Sequence, residues 1–575
     1  RLRFNKINQL KKWYWLLAYP YWLSAEKWKA FGILLAIILL VVSTASLDGS
    51  LNKLGGDFIT TLSNRESDKF YQLFLLNTAL LILDLILVTL KYFALDKLGL
   101  YWRQWLTEHF LGSYCKKDIF YQINNNQDID NPDQRISEDI KTFIDQNYLI
   151  ISLIEATIRG FLFIGILASI NRYLVLFVFI AAIIKIVFSF IIGRVLTSLN
   201  YQNLKRQADF RYSLIQSRIH NESIALYGGE EREFMSISRL FAAAMDILHR
   251  MILPDSTLNA FGQFISTIFG LILILILAPS FFKGEISIGD VTRSGTAFSS
   301  VLASFTWIAN NFQDLSLFAV VIKRLGKLQD LFDQQNSVAV SHQSNTISLD
   351  SLEQKNRFDF VGVTLQTPDG KRTLIEDLSV TVPRESSLLI TGDSGIGKSS
   401  LVKAIAGLWN TGTGCIVRPK LEEIFFLPQR PYFVIGSLRE QMLYPQSNEY
   451  TTTKELQQIL IKANFENLIE RVGGLDVELD WYNILSLGEQ QKLAFARLLL
   501  SKKKYAVLDE STSALDIESE KHLYQLLQDS DLTYISVGHR QTLIPYHQSV
   551  LKLVRNAEWE TISPEEYRKR NEMGF

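Results

Sequence analysis

The chain has 575 residues, and its 59 Lys and Arg are balanced by 59 Asp and Glu, so no basic excess exists to displace counterions from phosphates and nucleic-acid binding is excluded as a function class. Hydrophobic residues make up 48% and charged residues 21%, which is too apolar for a disordered chain and richer in Phe and Leu than a water-soluble enzyme of this size. Two distant cysteines, Cys115 and Cys415, exclude a disulfide scaffold and a cysteine-based metal centre.

The text opens on Arg1, which reads as a trimmed start, and no small-residue cleavage site follows an apolar run, so no signal peptide is expected. Over 1–27, Trp13, Tyr14, Trp15, Tyr19, Tyr21 and Trp22 interleave with Lys11, Lys12 and Lys27, the composition of a helix lying in the headgroup layer. A transmembrane domain follows over 28–333, with six candidate spans near the roughly 20 residues a bilayer requires. These are Ala30–Ser46, Phe70–Phe93, Tyr148–Ile170, Tyr173–Gly193, Leu258–Pro279 and Val291–Val321. The sixth is the weakest, being rich in Ser, Thr, Ala and Asn.

Long polar stretches join the second span to the third and the fourth to the fifth, as helices projecting from one side of a membrane would give. The basic N-terminus puts that side in the cytoplasm by the positive-inside rule. Asp84, Glu155, Arg159 and Lys185 lie at membrane depth and are expected to face protein or water. Glu155 and Arg159, four apart, pair on one helix face, either as a structural brace or as part of a cargo path. Polar, small residues over 334–347 read as a linker, and 348–575 reads as soluble α/β protein.

That second half carries the chemistry. In LLITGDSGIGKSS an apolar strand enters a glycine-rich loop, and a helix is expected over Leu401–Leu408. Gly392, Gly397, Lys398 and Ser399 stand at phosphate-loop spacing. Backbone N–H groups of Gly392, Asp393, Ser394, Gly395, Ile396, Gly397 and Ser400 would wrap the phosphates, Lys398 would reach the β and γ groups, and Ser399 would bind Mg²⁺. YAVLDE ends a second apolar strand on Asp509, placed beside Mg²⁺, and Glu510, a general base for the attacking water.

With these motifs in hand, the sequence resembles the ATP-binding cassette transporters. LSLGE at Leu485–Glu489 is similar to their signature motif, Gln429 in FLPQRPY to the Q-loop glutamine, His539 in SVGHR to the switch histidine, and SALD, ending on Asp516, to the D-loop. The order along the chain is the family's order. Stretches in the first half, NPDQRISEDI, NESIALYGGEE and PYWLSAEKWK, resemble the bacterial SbmA/BacA-like permease–ATPase fusions and the related ALD-type acyl-CoA half-transporters.

The resemblance implies an α-helical membrane domain of exporter-like (type IV) ABC fold followed by an α/β P-loop nucleotide-binding domain. It implies ATP and Mg²⁺ as ligands, with Gln429 touching Mg²⁺ and His539 the γ-phosphate. Ser486, Leu487, Gly488 and Glu489 are implied to close on nucleotide held by a second subunit. One phosphate loop and one signature per chain then require a dimer, a homodimer or one with a paralogue. The implied setting is a bacterial inner membrane, with the cassette cytoplasmic. Segments near Gln134–Ile140 and Tyr227–Glu233 are the expected docking elements for the cassette near Gln429. The SbmA/BacA-like resemblance implies uptake of peptides or cobalamin-like hydrophilic compounds, and the ALD-type one long-chain acyl cargo; the polar sixth span favours the first. A channel or regulatory subunit without pumping is disfavoured by intact Glu510 and His539, and a soluble repair-type ATPase by the six spans. The sequence departs from the family at Leu487, commonly Gly, at Glu489, commonly Gln, and near Thr367, where no Tyr stands ready to stack on adenine.

Overall fold

The computed structural model describes residues 2–116, 132–338, 346–350, 357–446 and 451–572. The chain divides into two compact units, Arg1–Ala339 and Val340–Phe575. Of the expected linker, 339–345 lies outside the described residues, as does Asn131 of the NPDQ stretch.

The first unit is helical. Its helices are α1 (Leu2–Leu23), α2 (Lys27–Ser63), α3 (Ser67–Tyr114), α4 (Tyr148–Ile170), α5 (Arg172–Ile219), α6 (Glu230–Phe282), α7 (Ile288–Phe305) and α8 (Phe312–Val338), with shorter turns between them. Five helical runs, α2, α3, Pro132–Ile170, α5 and α6, are long and apolar enough to cross a membrane. Their apolar windows are at most 28% buried within the chain. Leu75, Leu85, Ile183 and Leu275 stand more than half exposed. Such surface is stable only against lipid or another chain.

The polar stretches after the second span and between the fourth and fifth are, in good part, continuations of the spanning helices, which run 48 residues in α3 and α5 and 53 in α6. The sixth span is not one helix. Its segment breaks at Thr306 and again at Asn311, and α7 falls outside the five apolar helices. Its Ser and Thr hydroxyls bond back to carbonyls four residues earlier, as at Ser294, Ser300 and Ser304, a pattern that bends helices.

Helix α1 has two faces. Trp13, Leu17, Ala18 and Tyr21 are buried, while Trp15 and Tyr19 stay more than half exposed. Tyr21 stacks on Trp102 at 5.4 Å, and Trp13 donates its indole N–H to Asp330 on α8 at 2.7 Å. Gly326 makes room for that ring, since a Cβ there would lie 2.3 Å from Trp13 Cγ. The helix expected at an interface is thus packed on one face against α3 and α8.

The second unit holds two sheets. β2 (Phe358–Gln366), β3 (Thr373–Val382), β1 (Ser348–Asp350) and β5 (Gly412–Val417) form the smaller, in the order β1-β5-β2-β3. Phe358 and Phe360 are core residues of β2, as their alternation suggests. The larger sheet runs β10-β9-β4-β8-β7-β6, from β4 (Ser387–Gly392), β6 (Ile424–Leu427), β7 (Tyr505–Asp509), β8 (Thr533–Val537), β9 (Ser549–Leu553) and β10 (Trp559–Ile562). Strands β6, β7, β8, β4 and β9 are parallel. Their near-continuous apolar runs, as in SLLITG, suit strands covered on both faces.

Candidate functional site

A parallel sheet gathers its ligands beyond the carboxyl ends of its strands. Here those ends deliver Gly392 from β4, Asp509 and Glu510 from β7, His539 just past β8 and Gln429 just past β6. The register fixes them side by side: Ile390 pairs with Val537, and Val537 with Asp509.

After β4 the chain turns through Gly392, Gly395 and Gly397, with φ of 143°, 75° and 119°. Only glycine suits Gly392, where a Cβ would lie 2.5 Å from the Leu553 carbonyl oxygen. The loop then enters α9 (Lys398–Ile405), which starts three residues before the expected helix. Lys398 is buried, and its ammonium donates to the carbonyls of Gly392 at 2.9 Å and Asp393 at 2.8 Å. Burial holds its pKa below the ordinary lysine value. Ser399 donates its hydroxyl to Asp509 Oδ1 at 3.0 Å. Burial raises the Asp509 carboxyl above the usual range. A half-buried carboxylate beside a hydroxyl is an oxygen-donor pair of the kind Mg²⁺ takes alongside substrate phosphates, so the residues fit that ion.

Glu510 leaves the strand with φ of 47°. That twist aims its carboxylate at two neighbours: Gln429 Nε2 donates to Oε2 at 2.8 Å, and His539 Nε2 lies 3.0 Å from Oε1. The four residues Gln429, Asp509, Glu510 and His539 therefore meet at one place, next to the phosphate loop.

The signature begins α10 (Leu487–Ser501), capped by Ser486. Ser486 accepts from the Glu489 N–H at 3.3 Å, and Glu489 accepts from the Ser486 N–H at 2.9 Å, a reciprocal capping box. Gly488 sits where a Cβ would approach the Ala514 carbonyl oxygen to 3.0 Å. Leu487 is exposed. The departure at Glu489 has a local counterpart: Arg471 ion-pairs with its other oxygen. Burial alone would raise the Glu489 carboxyl, but Arg471 and the Ser486 N–H bring it below the usual range. Among the described residues, no hydrogen bond or ion pair joins Ser486–Glu489 to the phosphate loop. Asp516 caps α11 (Ile517–Gln528), accepting from Ser519 N–H at 2.8 Å.

Three residues that sequence reasoning passed over tie these parts together. Gln491, fully buried in α10, accepts from Ala514 N–H and donates to the Gln429 carbonyl and to Ser513. Arg540 donates to the carbonyls of Ser513 and Leu515. Arg497 donates to the carbonyls of Tyr432 and Gln441 and lies over the Phe433 ring. Near Thr367, where an adenine-stacking ring would stand, the Thr367 hydroxyl donates to Asp369 at 2.6 Å in a tight turn.

Family models match residues 19–281, as "ABC transporter transmembrane region 2", and residues 375–513, as "ABC transporter". The ABC transporter D family member 2, chloroplastic, of Arabidopsis thaliana is 35% identical over 96% of this chain and 88% of its own length. The chain belongs to the ABC transporters. The mouse lysosomal cobalamin transporter ABCD4 is 32% identical over 93% of each chain. A bacterial Atm1-family ABC exporter solved with ATP bound superposes at a TM-score of 0.77, with 18% identity, over 95% of this chain and 97% of that one. The fold is thus exporter-like, with one membrane half and one cassette, the half-transporter arrangement. The protein is an ATP-binding membrane transporter and an ATPase.

Two segments of the membrane half gain detail. The Gln134–Ile140 segment includes a five-residue π-helix, Arg135–Asp139, and Arg135, Ile136, Asp139 and Ile140 are buried. Arg324 on α8 pairs with Asp139 at 2.8 Å. And Glu155 with Arg159 is part of a longer chain. Lys91 donates to both Glu155 oxygens at 2.9 and 3.0 Å, and Arg159 reaches Glu155 at 3.1 Å and Asp48 at 2.8 Å, joining α2, α3 and α4.

Proposed function

We propose that the protein works as a homodimer in a bacterial-type inner membrane, with its cassette in the cytoplasm, and that it couples hydrolysis of Mg-ATP to movement of a hydrophilic solute, peptide-like or cobalamin-like. The membrane domain is assigned to 28–333 behind an elbow at 1–27, and the cassette to 348–575 after a linker at 334–347. The observation that carries the catalytic reading is the meeting of Glu510 with Gln429 and His539 beside the Ser399–Asp509 pair.

In this reading Gly392–Ser400 wrap the phosphates with backbone N–H groups. Lys398 exchanges its two loop carbonyls for β- and γ-phosphate oxygens. Ser399, Asp509 and Gln429 hold Mg²⁺, which when bound draws charge off the phosphates. Glu510 takes the proton of the attacking water, and His539 fixes the γ-phosphate. Ser486, Leu487, Gly488 and Glu489 face the nucleotide of the second copy, and Asp516 belongs to the D-loop at the same junction. That no hydrogen bond or ion pair joins the signature to the phosphate loop among the described residues supports two composite sites shared between two chains.

For cargo, support comes from the cobalamin transporter among the relatives and from the polar residues of α7. Reconstitution in sealed vesicles with ATP, against peptides, cobalamin and acyl-CoAs, tests the reading. ATP-driven accumulation of a peptide or cobalamin is expected. Accumulation of acyl-CoA alone replaces that cargo class, and solute flow without ATP turnover makes the protein a channel.

A further inference from the structure

The side chain of His539 is held by little of its own. It is nearly half exposed, and among the described residues its one polar contact is Glu510 Oε1, at 3.0 Å. An exposed side chain with a single contact changes rotamer quickly, so the placement of the ring depends on the backbone that carries it. That backbone is anchored on one side at Gly538, whose N–H donates to the Ile390 carbonyl at 3.2 Å. On the other side stands Arg540.

The Arg540 guanidinium grips a turn. Its Nη1 donates to the Leu515 carbonyl and its Nη2 to the Ser513 carbonyl, both at 2.8 Å. Two bonds from one planar fork fix orientation as well as distance. The turn is tied in its own right to the carboxylate proposed as the base. Ser513 N–H donates to the Glu510 carbonyl at 3.2 Å, Leu515 N–H to the Thr512 carbonyl at 3.1 Å, and Glu510 N–H to the Val537 carbonyl at 3.1 Å. From the far side Gln491 of α10 accepts from the Ala514 N–H at 3.0 Å. A closed path therefore joins the two side chains: Glu510 to the 513–515 turn, the turn to Arg540, and Arg540 by one peptide bond to His539.

A further contact of Arg540 separates support from positioning. Nη1 lies 3.4 Å from Glu520 Oε2. Glu520 is only 1% exposed and also accepts from the hydroxyls of Thr512 and Thr542. A buried carboxylate that loses its cation destabilises the fold, so this pair bears on stability. The two carbonyl bonds bear on where His539 stands.

We propose that Arg540 is a positioning residue for ATP hydrolysis, which by gripping the 513–515 turn sets His539 against Glu510. The assignment rests on the proposed catalytic pairing of Glu510 with His539 and adds the group that aligns it. Arg540 touches neither nucleotide nor water in this role.

The test is steady-state ATPase of the full chain in lipid nanodiscs, with release of radiolabelled phosphate as the readout. Arg540→Met is expected to lower kcat by about tenfold and to move the KM for ATP by less than about twofold, because the loss is one of alignment. In a His539→Ala background the same substitution is expected to change kcat by less than about twofold, since nothing is left to align. Arg540→Lys keeps a cation for Glu520 but lacks the fork, so it recovers the melting temperature while kcat stays low. Glu520→Gln keeps the shape and both carbonyl bonds, so its melting temperature falls while kcat holds within about twofold. A melting transition still shifted by ATP shows that each variant is folded; if Arg540→Met is not, Arg540→Lys carries the comparison. Normal kcat in folded Arg540→Met or Arg540→Lys would overturn the proposal. So would a loss of turnover in Glu520→Gln equal to that of the arginine variants, or a full loss repeated in the His539→Ala background. Normal turnover in His539→Ala itself removes the proposed role of His539 and this assignment with it; a slow His539→Ala beside a normal Arg540→Met removes this assignment alone.

Discussion

At the position of Glu510, one carboxylate takes a hydrogen bond from an amide and sits 3.0 Å from an imidazole, poised beside the phosphate loop by a left-handed backbone turn. A glutamine there keeps the shape but cannot take a proton. Glu510→Gln is expected to cut kcat by about 10²–10⁴-fold while nucleotide still binds, measured by steady-state ATPase and nucleotide-binding assays; near-normal turnover would remove Glu510 as the base. Arg471 raises a second question at this scale, because it offsets a carboxylate at the helix start proposed to face a partner's γ-phosphate. Arg471→Ala is expected to raise the KM for ATP by about tenfold with Glu489 in place and by little in a Glu489→Gln background, a coupling of about 1–2 kcal/mol in a double-mutant cycle. Equal effects in both backgrounds would make Arg471 a mere support. His547 reports on stability instead. Its ring is buried with Nδ1 2.7 Å from the Leu543 carbonyl, and burial pushes its pKa down to about 4. Below the ordinary value near 6.5 the unfolded chain takes a proton that the folded one refuses, so stability falls as pH drops from about 6.5 to 4, by about 3 kcal/mol in all. The melting temperature of His547→Phe should fall less steeply over that window; an unchanged slope would show that other groups dominate. The sequence made Gly392, Lys398, Gln429, Asp509, Glu510 and His539 legible because each stands at a fixed offset from a strand. Gln491, Arg497, Arg540 and Arg471 were not, because their partners are distant carbonyls and carboxylates that only the folded chain brings near.

At the scale of elements, apolar length alone exposed the first five spans, since a run such as AFGILLAIILLVV has no stable home in water. The break of the sixth at Thr306 and Asn311 was hidden, because hydroxyl-to-carbonyl bonds within a helix leave no mark in hydropathy. The aromatic N-terminal stretch was legible as a helix with an aromatic face, yet its buried face depended on partners hundreds of residues away. Gly326 and Trp13 are the tightest of these. Gly326→Ala forces the indole off its seat and its bond to Asp330, with a cost of about 1–3 kcal/mol. Thermal melting in detergent, followed by tryptophan fluorescence, should show that loss together with a shifted emission; an unperturbed melt would mean that α1 is not packed on α8 in solution. The packing of the Gln134–Ile140 segment was hidden for a similar reason. Its polar text suggests a solvated helix, but Arg135 and Asp139 are drawn inward by α8.

At the scale of the whole molecule, a single chain offers one phosphate loop and one signature, and the capping box that presents Ser486 and Gly488 has no bond to its own loop among the described residues. The account therefore depends on two chains exchanging halves of their sites. Two preparations, one carrying Lys398→Ala and the other Gly488→Asp, are each expected to be inactive, since neither homodimer holds a complete site. Co-expressed with different tags and purified through both, the mixed dimer pairs the intact loop of one protomer with the intact signature of the other. Recovery of ATP hydrolysis in that mixed dimer is the predicted result; a mixed dimer as inactive as its parents, or a Gly488→Asp homodimer that hydrolyses ATP normally, would contradict it.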